Sequence, residues 1–286
     1  MPETCLWRGN DSSNPGDYSV AGNWSGAVPV ADDTVIIPAG SGNITAGLNQ
    51  ASIELEEFTV QEGYGGRIGI RPTSGAAPTY LQLGIKTNSP CELTLSNYAY
   101  IDVDNSDIDV TVFRAAQGTS GDYGLCLLGS AIQTLSVHQG SVGLGYQRGN
   151  LADCDDIQLR AGALLYRGAG AGSSGATIMG GTLIDAGGIA QCDIYSGVFK
   201  SVEVAALATL NCYGGRSILN NVAGSGVTTV NLKGANATLD LSQSGIPRTI
   251  VTLNYDEGRL IKTPATTVTN FNVSSLAFDM SCATLR

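Results

Sequence analysis

Short runs of alternating apolar and polar residues cover most of the chain. Representative runs are "TVII" (34–37), "IELEEFTV" (53–60), "YLQLGI" (80–85) and "ELTL" (92–95). Alternation with a period of two is typical of β-strands that bury one face, and the Gly, Pro, Asn, Asp and Ser residues that flank these runs favour turns. Apolar faces at helical spacing are nearly missing. The pattern therefore predicts an all-β protein.

A looser repeat emerges in the second half of the chain, in which a strand stops at a glycine and then resumes, as in "ATIMGGTLIDAG" and "CDIYSGVFKSVE". Imperfect repeats of about 20 residues are typical of β-solenoids, whose stacked coils tolerate inserted loops. The repeats therefore predict a parallel β-helix, and a β-sandwich of antiparallel hairpins is the alternative. Glycine bends a chain without steric cost, so the central glycines should form one corner of each coil. They are Gly140, Gly162, Gly181, Gly197, Gly215, Gly234 and Gly258.

The two ends of a solenoid expose unpaired strand edges, which promote aggregation unless they are covered. The terminal segments should therefore differ from the body of the protein. We predict an N-terminal cap or attachment segment over residues 1–48 and a β-solenoid over residues 49–263. Residues 264–286 are predicted to form a C-terminal cap or an oligomerisation tail.

The N-terminal segment also holds large apolar residues of the kind that occupy the centres of interfaces. Both tryptophans of the chain lie within its first 24 residues. This concentration predicts that the segment attaches the protein to a larger assembly. The predicted attachment residues are Trp7, Trp24, Val28 and Val30.

Composition narrows the range of partners. The chain has 286 residues, and its 15 Lys and Arg against 25 Asp and Glu give a net charge of −10. Nucleic-acid-binding proteins normally carry a basic stripe, so no nucleic-acid partner is predicted. No apolar run approaches the length of a membrane helix, and the start "MPETCLWRGN" lacks the pattern of a secretory signal. We therefore expect synthesis in the cytoplasm and no membrane association.

One acidic stretch, "YIDVDNSDIDV", is a weak candidate for a metal site. Asp102, Asp104, Asp107 and Asp109 would place four carboxylates near one corner, and Ca²⁺ takes about six to eight oxygen ligands. The stretch lacks the glycine and the terminal glutamate of an EF-hand loop. Solvated surface carboxylates are the competing interpretation, and no other cofactor is predicted.

No residue pattern indicates a catalytic site. Solenoid enzymes that cleave polysaccharides use paired acids or an arginine base. Five arginines are candidates for a catalytic base, and none stands in a distinctive acid-rich motif. His138 is the single histidine, and its alternation with Val137 predicts a side chain that points out of the strand. The arginines are Arg67, Arg71, Arg160, Arg167 and Arg216.

The N-terminal segment carries a resemblance to a known group of proteins. Its motifs are W-x-G at Trp7–Gly9, N-W-S-G-x-V-P at Asn23–Pro29, D-D-T-V-I-I-P-A-G at Asp32–Gly40 and I-T-A-G-L at Ile44–Leu48. This segment resembles the leader of glycine-rich β-helical proteins, which occur among tailed-phage structural proteins and autotransporter-like passenger repeats. The resemblance implies a right-handed β-helix with a structural or adhesive role, often as a homotrimer, and it supplies no catalytic residue.

The lack of a signal peptide and of a membrane-barrel segment favours the phage branch of this resemblance. The sequence therefore predicts a non-enzymatic virion structural protein of a bacteriophage, of the capsid decoration (cement) type or another surface-exposed β-helical type. Its expected partners are the major capsid protein or another virion protein. A receptor- or glycan-binding tail fibre is one alternative, with a surface glycan as partner. A polysaccharide lyase or hydrolase is the other.

Overall fold

The structure, a computed structural model, is a stack of parallel coils. It describes residues 1–72, 77–103, 107–118, 123–145, 152–168, 173–203, 207–221, 226–242, 248–262 and 265–274. These residues form a β-solenoid of about 10 turns with almost no helix. Every pairing between its named strands is parallel, which confirms the predicted β-helix and excludes the antiparallel sandwich.

Most coils contribute one strand to each of two long sheets. The strands of sheet 1 are β1 (Thr4–Leu6), β2 (Thr34–Ile37), β4 (Glu57–Val60), β6 (Pro90–Thr94), β8 (Ile108–Arg114), the second half of β9 (Leu125–Val137), β11 (Ala152–Leu159), β13 (Gly175–Ile178), β15 (Ile189–Ile194), β17 (Leu207–Cys212), β19 (Val227–Leu232), β21 (Arg248–Tyr255) and β23 (Thr266–Val273).

Sheet 2 runs alongside and shares β9 with sheet 1. Its strands are β3 (Asn49–Leu55), β5 (Leu81–Ile85), β7 (Ala99–Asp102), the first half of β9, β10 (Gly140–Leu144), β12 (Ala163–Arg167), β14 (Thr182–Asp185), β16 (Val198–Glu203), β18 (Arg216–Asn221), β20 (Thr238–Asp240) and β22 (Arg259–Ile261).

Alternate residues of both sheets fill one continuous interior. In β17, Leu210 and Cys212 lie in this interior, whereas Thr209 and Asn211 lie on the outer side. The six cysteines among the described residues are all buried. Five lie in the interior, as expected for small core residues, whereas Cys126 lies in a separate cluster. Cys282 lies outside the described residues. Burial raises the pKa of the Cys91 thiol to about 12, so this sulfur stays protonated in neutral solution.

The predicted glycine corner joins each strand of sheet 1 to the next strand of sheet 2. Six of the seven predicted corner glycines have positive φ angles, and Gly215 is representative with a φ of 67°. A Cβ atom at Gly215 would lie 2.5 Å from the carbonyl oxygen of Gly197, the corner glycine of the preceding coil. Two requirements therefore coincide here: a left-handed backbone, and room for the coil below.

The N-terminal segment packs its aromatic residues at the end of the solenoid where sheet 1 begins. The ring centres of Trp7 and Trp24 lie 4.9 Å apart, and those of Tyr18 and Trp24 lie 4.7 Å apart. Each indole N–H donates to a backbone carbonyl, from Trp7 to Gly42 at 2.9 Å and from Trp24 to Tyr18 at 2.7 Å. This buried cluster lets sheet 1 start on a fixed base.

Sheet 1 continues through both predicted terminal segments. Strands β1 and β2 belong to residues 1–48, and β23 belongs to residues 264–286, yet all three pair within sheet 1. The N-terminal segment is therefore the first part of the solenoid as well as its cover. The roles predicted for the two terminal segments, attachment and oligomerisation, stay predictions.

Two ion pairs stabilise sheet 2. Arg167 and Asp185 are fully buried in the interior, where the Arg167 Nε–H donates to Asp185 Oδ1 at 2.8 Å. The same Asp185 oxygen accepts the backbone N–H groups of Gly187 and Gly188, so the pair also fixes the turn after β14. Breaking such a buried pair on one side leaves an uncompensated charge, which costs about 3–5 kcal/mol.

The second pair joins Arg216 to Asp240 of the next coil. Burial acts to raise the pKa of Asp240, but the hydrogen bonds from Arg216 and from the Ser242 hydroxyl and backbone N–H outweigh it. Together they hold this pKa at about 2. The carboxylate therefore stays ionised throughout the neutral and mildly acidic range.

Gly215→Ala should destabilise the protein by about 3 kcal/mol, because the new Cβ adds left-handed strain to a clash with the Gly197 carbonyl. Gly40→Ala separates the two causes, since Gly40 also has positive φ, 72°, but its Cβ would meet nothing within 4 Å. Gly26→Ala has neither problem and serves as the control. Urea denaturation should show the largest loss in the free energy of unfolding for the Gly215 variant, a smaller loss for the Gly40 variant and the smallest for the Gly26 variant. Equal losses in all three would contradict the proposed steric role of the corner.

Asp240→Asn should remove a pH-dependent contribution of about 2 kcal/mol to the free energy of unfolding. The folded pKa, about 2, lies below the ordinary value of 3.8. The contribution is therefore complete above about pH 4 and is lost as the pH falls towards 2. Denaturation should show that the free energy of unfolding of the variant is well below that of the parent at pH 7 and close to it at pH 2. The control, Asp155→Asn at an exposed carboxylate, should leave the free energy of unfolding unchanged at both pH values. If Asp240→Asn lowers the free energy of unfolding equally at pH 7 and pH 2, the loss does not come from the ionised carboxylate.

Candidate functional site

The outer side of sheet 1 carries a regular grid of side chains over eight successive coils. Because strand residues two apart share a face, each coil presents three residues there, and the parallel register stacks them into three columns. We call columns 1 and 2 the polar columns and column 3 the corner ridge. Column 1 consists of Asp109, Thr134, Asp156, Gly175, Gln191, Thr209, Thr229 and Thr252.

The other two columns follow the same register. Column 2 consists of Thr111, Ser136, Gln158, Thr177, Asp193, Asn211, Asn231 and Asn254. The corner ridge consists of Phe113, His138, Arg160, Met179, Tyr195, Tyr213, Lys233 and Asp256.

Column 2 ends in a ladder of side-chain amides. Asn211 Nδ2 donates to Asp193 Oδ1 at 2.6 Å, and Asn231 Nδ2 donates to Asn211 Oδ1 at 2.7 Å. Asn254 repeats the bond to Asn231 at 2.7 Å, and Asn272 repeats it to Asn254 at 2.8 Å. Each Asn uses one of its two N–H groups in this ladder. Asn211 is buried, whereas Asn231, Asn254 and Asn272 are at least partly exposed, so their second N–H can serve a ligand.

The corner ridge consists of side chains that touch from one coil to the next. The Phe113 and His138 rings meet edge to face at 5.3 Å between centres. Tyr195 and Tyr213 stack at 4.9 Å with their planes 12° apart. The Lys233 ammonium lies 5.6 Å from the centre of the Tyr213 ring, within the range of a cation–π contact.

The ridge exposes much of the large apolar surface in the part of the chain that the structure describes. The exposed fractions are 43% for Phe113, 40% for Met179, 53% for Tyr195 and 37% for Tyr213. All four lie in one line along the rod. Met179, Tyr195 and Tyr213 are consecutive in it, whereas His138 and Arg160 separate them from Phe113. Scattered exposed apolar residues are ordinary, but a contiguous line of them marks a surface that interacts with something.

Charge is distributed unevenly along the grid. Acidic residues stand in the polar columns of the earlier coils, at Asp109, Asp156 and Asp193, and Arg160 lies on the ridge beside them. Across β17, β19 and β21 the polar columns are entirely Thr and Asn, so they carry no charge. These three coils offer hydroxyl and amide groups beside aromatic rings, an arrangement suited to binding an uncharged ligand.

A second aromatic cluster lies on the outer side of sheet 2. It joins buried tyrosines from neighbouring coils to Cys126 and Leu128, with Tyr98 packed at its margin. The guanidinium carbons of Arg67 and Arg71 lie 5.4 and 5.7 Å from the centre of the Tyr98 ring. The buried tyrosines are Tyr80, Tyr100 and Tyr123.

The predicted calcium-binding residues are divided between the two sheets. Asp102 ends β7 in sheet 2, Asp107 precedes β8, and Asp109 lies in β8 of sheet 1 within the outer grid. Asp104 lies outside the described residues. No group of three or more His, Cys, Asp or Glu side chains suited to a metal ion occurs within the described ranges, and the Ca²⁺ site stays an untested prediction.

The four predicted attachment residues occupy different environments. Trp7 and Trp24 are buried in the aromatic cluster of the N-terminal segment, where they hold that segment together. Val28 is half-buried against the core. Val30 is 60% exposed, so it is the one of the four that presents most of its side chain to a partner.

The arginines that are candidate catalytic bases lie in different environments. Arg167 and Arg216 are engaged in ion pairs of sheet 2, and Arg160 lies on the corner ridge, where its Nη1 group contacts Met179 Sδ at 3.1 Å. His138 lies on the same ridge, half-buried and on the outer side as predicted.

The sequence interpretation missed both the grid and the ridge. Their signal is present as aligned pentapeptides, "TLNCY" (209–213), "TVNLK" (229–233) and "TLNYD" (252–256), in which positions 1, 3 and 5 face outward. Aligning the repeats on their strands instead of on their glycines would have brought these positions into register.

Comparison with known proteins gives no relative for this chain: no protein-family model, no curated protein and no solved structure matches it. Among the described residues, no helix has the length and apolar character needed to span a membrane.

Asn231→Ala should reduce the free energy of unfolding by about 1 kcal/mol, because it leaves Asn211 Oδ1 and Asn254 Nδ2 without their ladder partners. Thr229→Ala is the matched control, since Thr229 lies in column 1 of the same coil and removal of its hydroxyl leaves the ladder intact. Urea denaturation of both variants measures the difference. Equal losses would show that the ladder contributes no net stability.

Proposed function

We propose that this protein is a non-enzymatic structural rod of a bacteriophage particle, of the capsid decoration type or another surface-exposed β-helical type. The observation that carries the proposal is the unbroken solenoid. About 10 turns stacked at ~4.8 Å give a rod of roughly 50 Å, in which backbone hydrogen bonds join each coil to the next. Such a rod holds a long side surface at a fixed distance from its base.

The roles of the buried and ordered carboxylates support a non-enzymatic assignment. Asp33 accepts the backbone N–H groups of Glu3 and Val30, and Asp185 and Asp240 belong to ion pairs. Asp193 accepts the amides that start the ladder. Each of these carboxylates stabilises a turn, a coil contact or a side-chain ladder, which is a structural task.

The N-terminal segment is the proposed point of attachment. The buried Trp7–Tyr18–Trp24 cluster gives it a rigid base, and Leu6 and Val30 present apolar surface at 39% and 60% exposure. A major capsid protein or another virion protein is the proposed partner, and a homotrimer is the proposed assembly. Both rest on the resemblance of roughly residues 5–70 to phage β-helical leaders.

The proposal predicts that the protein is present in fixed stoichiometry on purified phage particles. Quantitative mass spectrometry of gradient-purified particles and immunogold microscopy with an antibody against the rod measure this directly. Val30→Glu should lower the occupancy at least about tenfold, because it places a charge at the apolar contact. Val251→Glu is the control, as Val251 has 42% exposure but lies in β21, many coils away from the N-terminal segment.

Two outcomes would overturn the proposal. Absence of the chain from particles would refute a virion role, and equal occupancy of the Val30 and Val251 variants would refute N-terminal attachment. Sedimentation of the purified protein tests the trimer separately.

A further inference from the structure

We propose that the uncharged stretch of the polar columns, across β17, β19 and β21, binds an extended neutral polysaccharide together with the ridge beside it, so that the polysaccharide lies along the rod. The site consists of Tyr195 and Tyr213 of the ridge and the Thr and Asn columns across β17, β19 and β21. The inference goes beyond the proposed function and does not require the protein to belong to a particle.

The first argument is periodicity. Successive coils present the same Thr and Asn pair at a spacing of ~4.8 Å, which is about the length of one sugar ring in an extended chain. The pairs are Thr209 with Asn211, Thr229 with Asn231 and Thr252 with Asn254. A polymer of sugars aligned with the rod would therefore meet equivalent hydrogen-bonding groups at each successive ring.

The second argument is the chemistry of these groups. A neutral sugar offers hydroxyl groups that donate and accept, and the Thr hydroxyls together with the second N–H groups of the partly exposed Asn231 and Asn254 provide both functions. Asn211 is buried and anchors the ladder. The ladder bonds of 2.6–2.8 Å already fix the amide orientations. Little side-chain freedom is therefore lost when a ligand binds.

The third argument is the ridge beside the columns. Sugar rings have apolar C–H faces that pack against aromatic side chains, and Tyr195 and Tyr213 expose about half and a third of their surface. Their mutual stacking at 4.9 Å, with Lys233 on the Tyr213 ring, holds both rings in place. A line of fixed aromatic rings next to fixed amides suits a ligand with one apolar and one polar side.

Charge selects a neutral polymer over an acidic one. The columns of β17, β19 and β21 carry no charge. Asp193 of column 2 and Asp256 of the ridge stand at the two ends of this stretch, and the Lys233 ammonium between them lies over the Tyr213 ring. The chain as a whole has a net charge of −10. A polyanion such as a nucleic acid or an acidic polysaccharide would meet repulsion here that a neutral glycan does not.

The experiment uses the purified full chain and an array of isolated bacterial surface polysaccharides, neutral and acidic, followed by calorimetry with the retained neutral polysaccharide. Binding should persist from 0.05 to 0.5 M NaCl, within about twofold, because an uncharged ligand is not screened. Tyr213→Ala and Asn231→Ala should each weaken it roughly tenfold. Ile70→Ala, an exposed apolar position away from the ridge, should leave the affinity unchanged. Far-ultraviolet circular dichroism checks that each variant is folded.

Several results would overturn the proposal. These are retention of no neutral polysaccharide, equal binding by the Tyr213 and Ile70 variants, or binding only to acidic polymers that salt abolishes. Sedimentation of the Tyr213 variant tests whether a second copy of the chain, instead of a polysaccharide, occupies the ridge. If the substitution dissociates an oligomer that the parent forms, the ridge is an interface between copies of the chain. The polysaccharide experiments use the purified chain and no phage particles. Their failure would therefore leave the proposed virion role untouched, and the reverse also holds.

Discussion

The register of the parallel strands is the constraint on which the rest of the structure depends. Backbone hydrogen bonds place each residue above its equivalent in the preceding coil, so a residue type that recurs in sequence becomes a column in space. Asn231 lies between Asn211 and Asn254 for this reason, and the corner glycines stack for the same reason. A shift of one residue would exchange the interior and the outer face of a whole strand.

That register gives small interactions a collective effect. One amide hydrogen bond on this surface contributes about 1 kcal/mol, but repeated in successive coils from Asp193 to Asn272 it fixes the side-chain orientations over that part of the column. The ridge works in the same way, since Tyr213 is held by Tyr195 on one coil and by Lys233 on the next. The outer face is therefore ordered before any partner arrives, which is the property that both proposed roles require.

The buried positions show where intuition about residue type fails. Tryptophans near a chain terminus suggest an exposed anchor, yet Trp7 and Trp24 have carbonyl partners for both indole N–H groups and pack against each other. Arg167 and Asp185 show the reverse, because two charged residues lie in the interior where they satisfy a turn of backbone N–H groups. In each case the available hydrogen-bond partners decided the placement.

The sequence by itself determined the all-β class, the parallel solenoid and the glycine corner, because alternation and glycine spacing are local properties that every coil repeats. It also indicated that Cys126, Cys192 and Cys212 are buried, since each lies in or beside an apolar run. Only the tertiary structure decided which outward residues share a column, because inserted loops between coils vary in length and hide the alignment. The amide ladder, the Tyr195–Tyr213 stack and the separation of Asp102 from Asp109 onto different sheets all depend on that alignment.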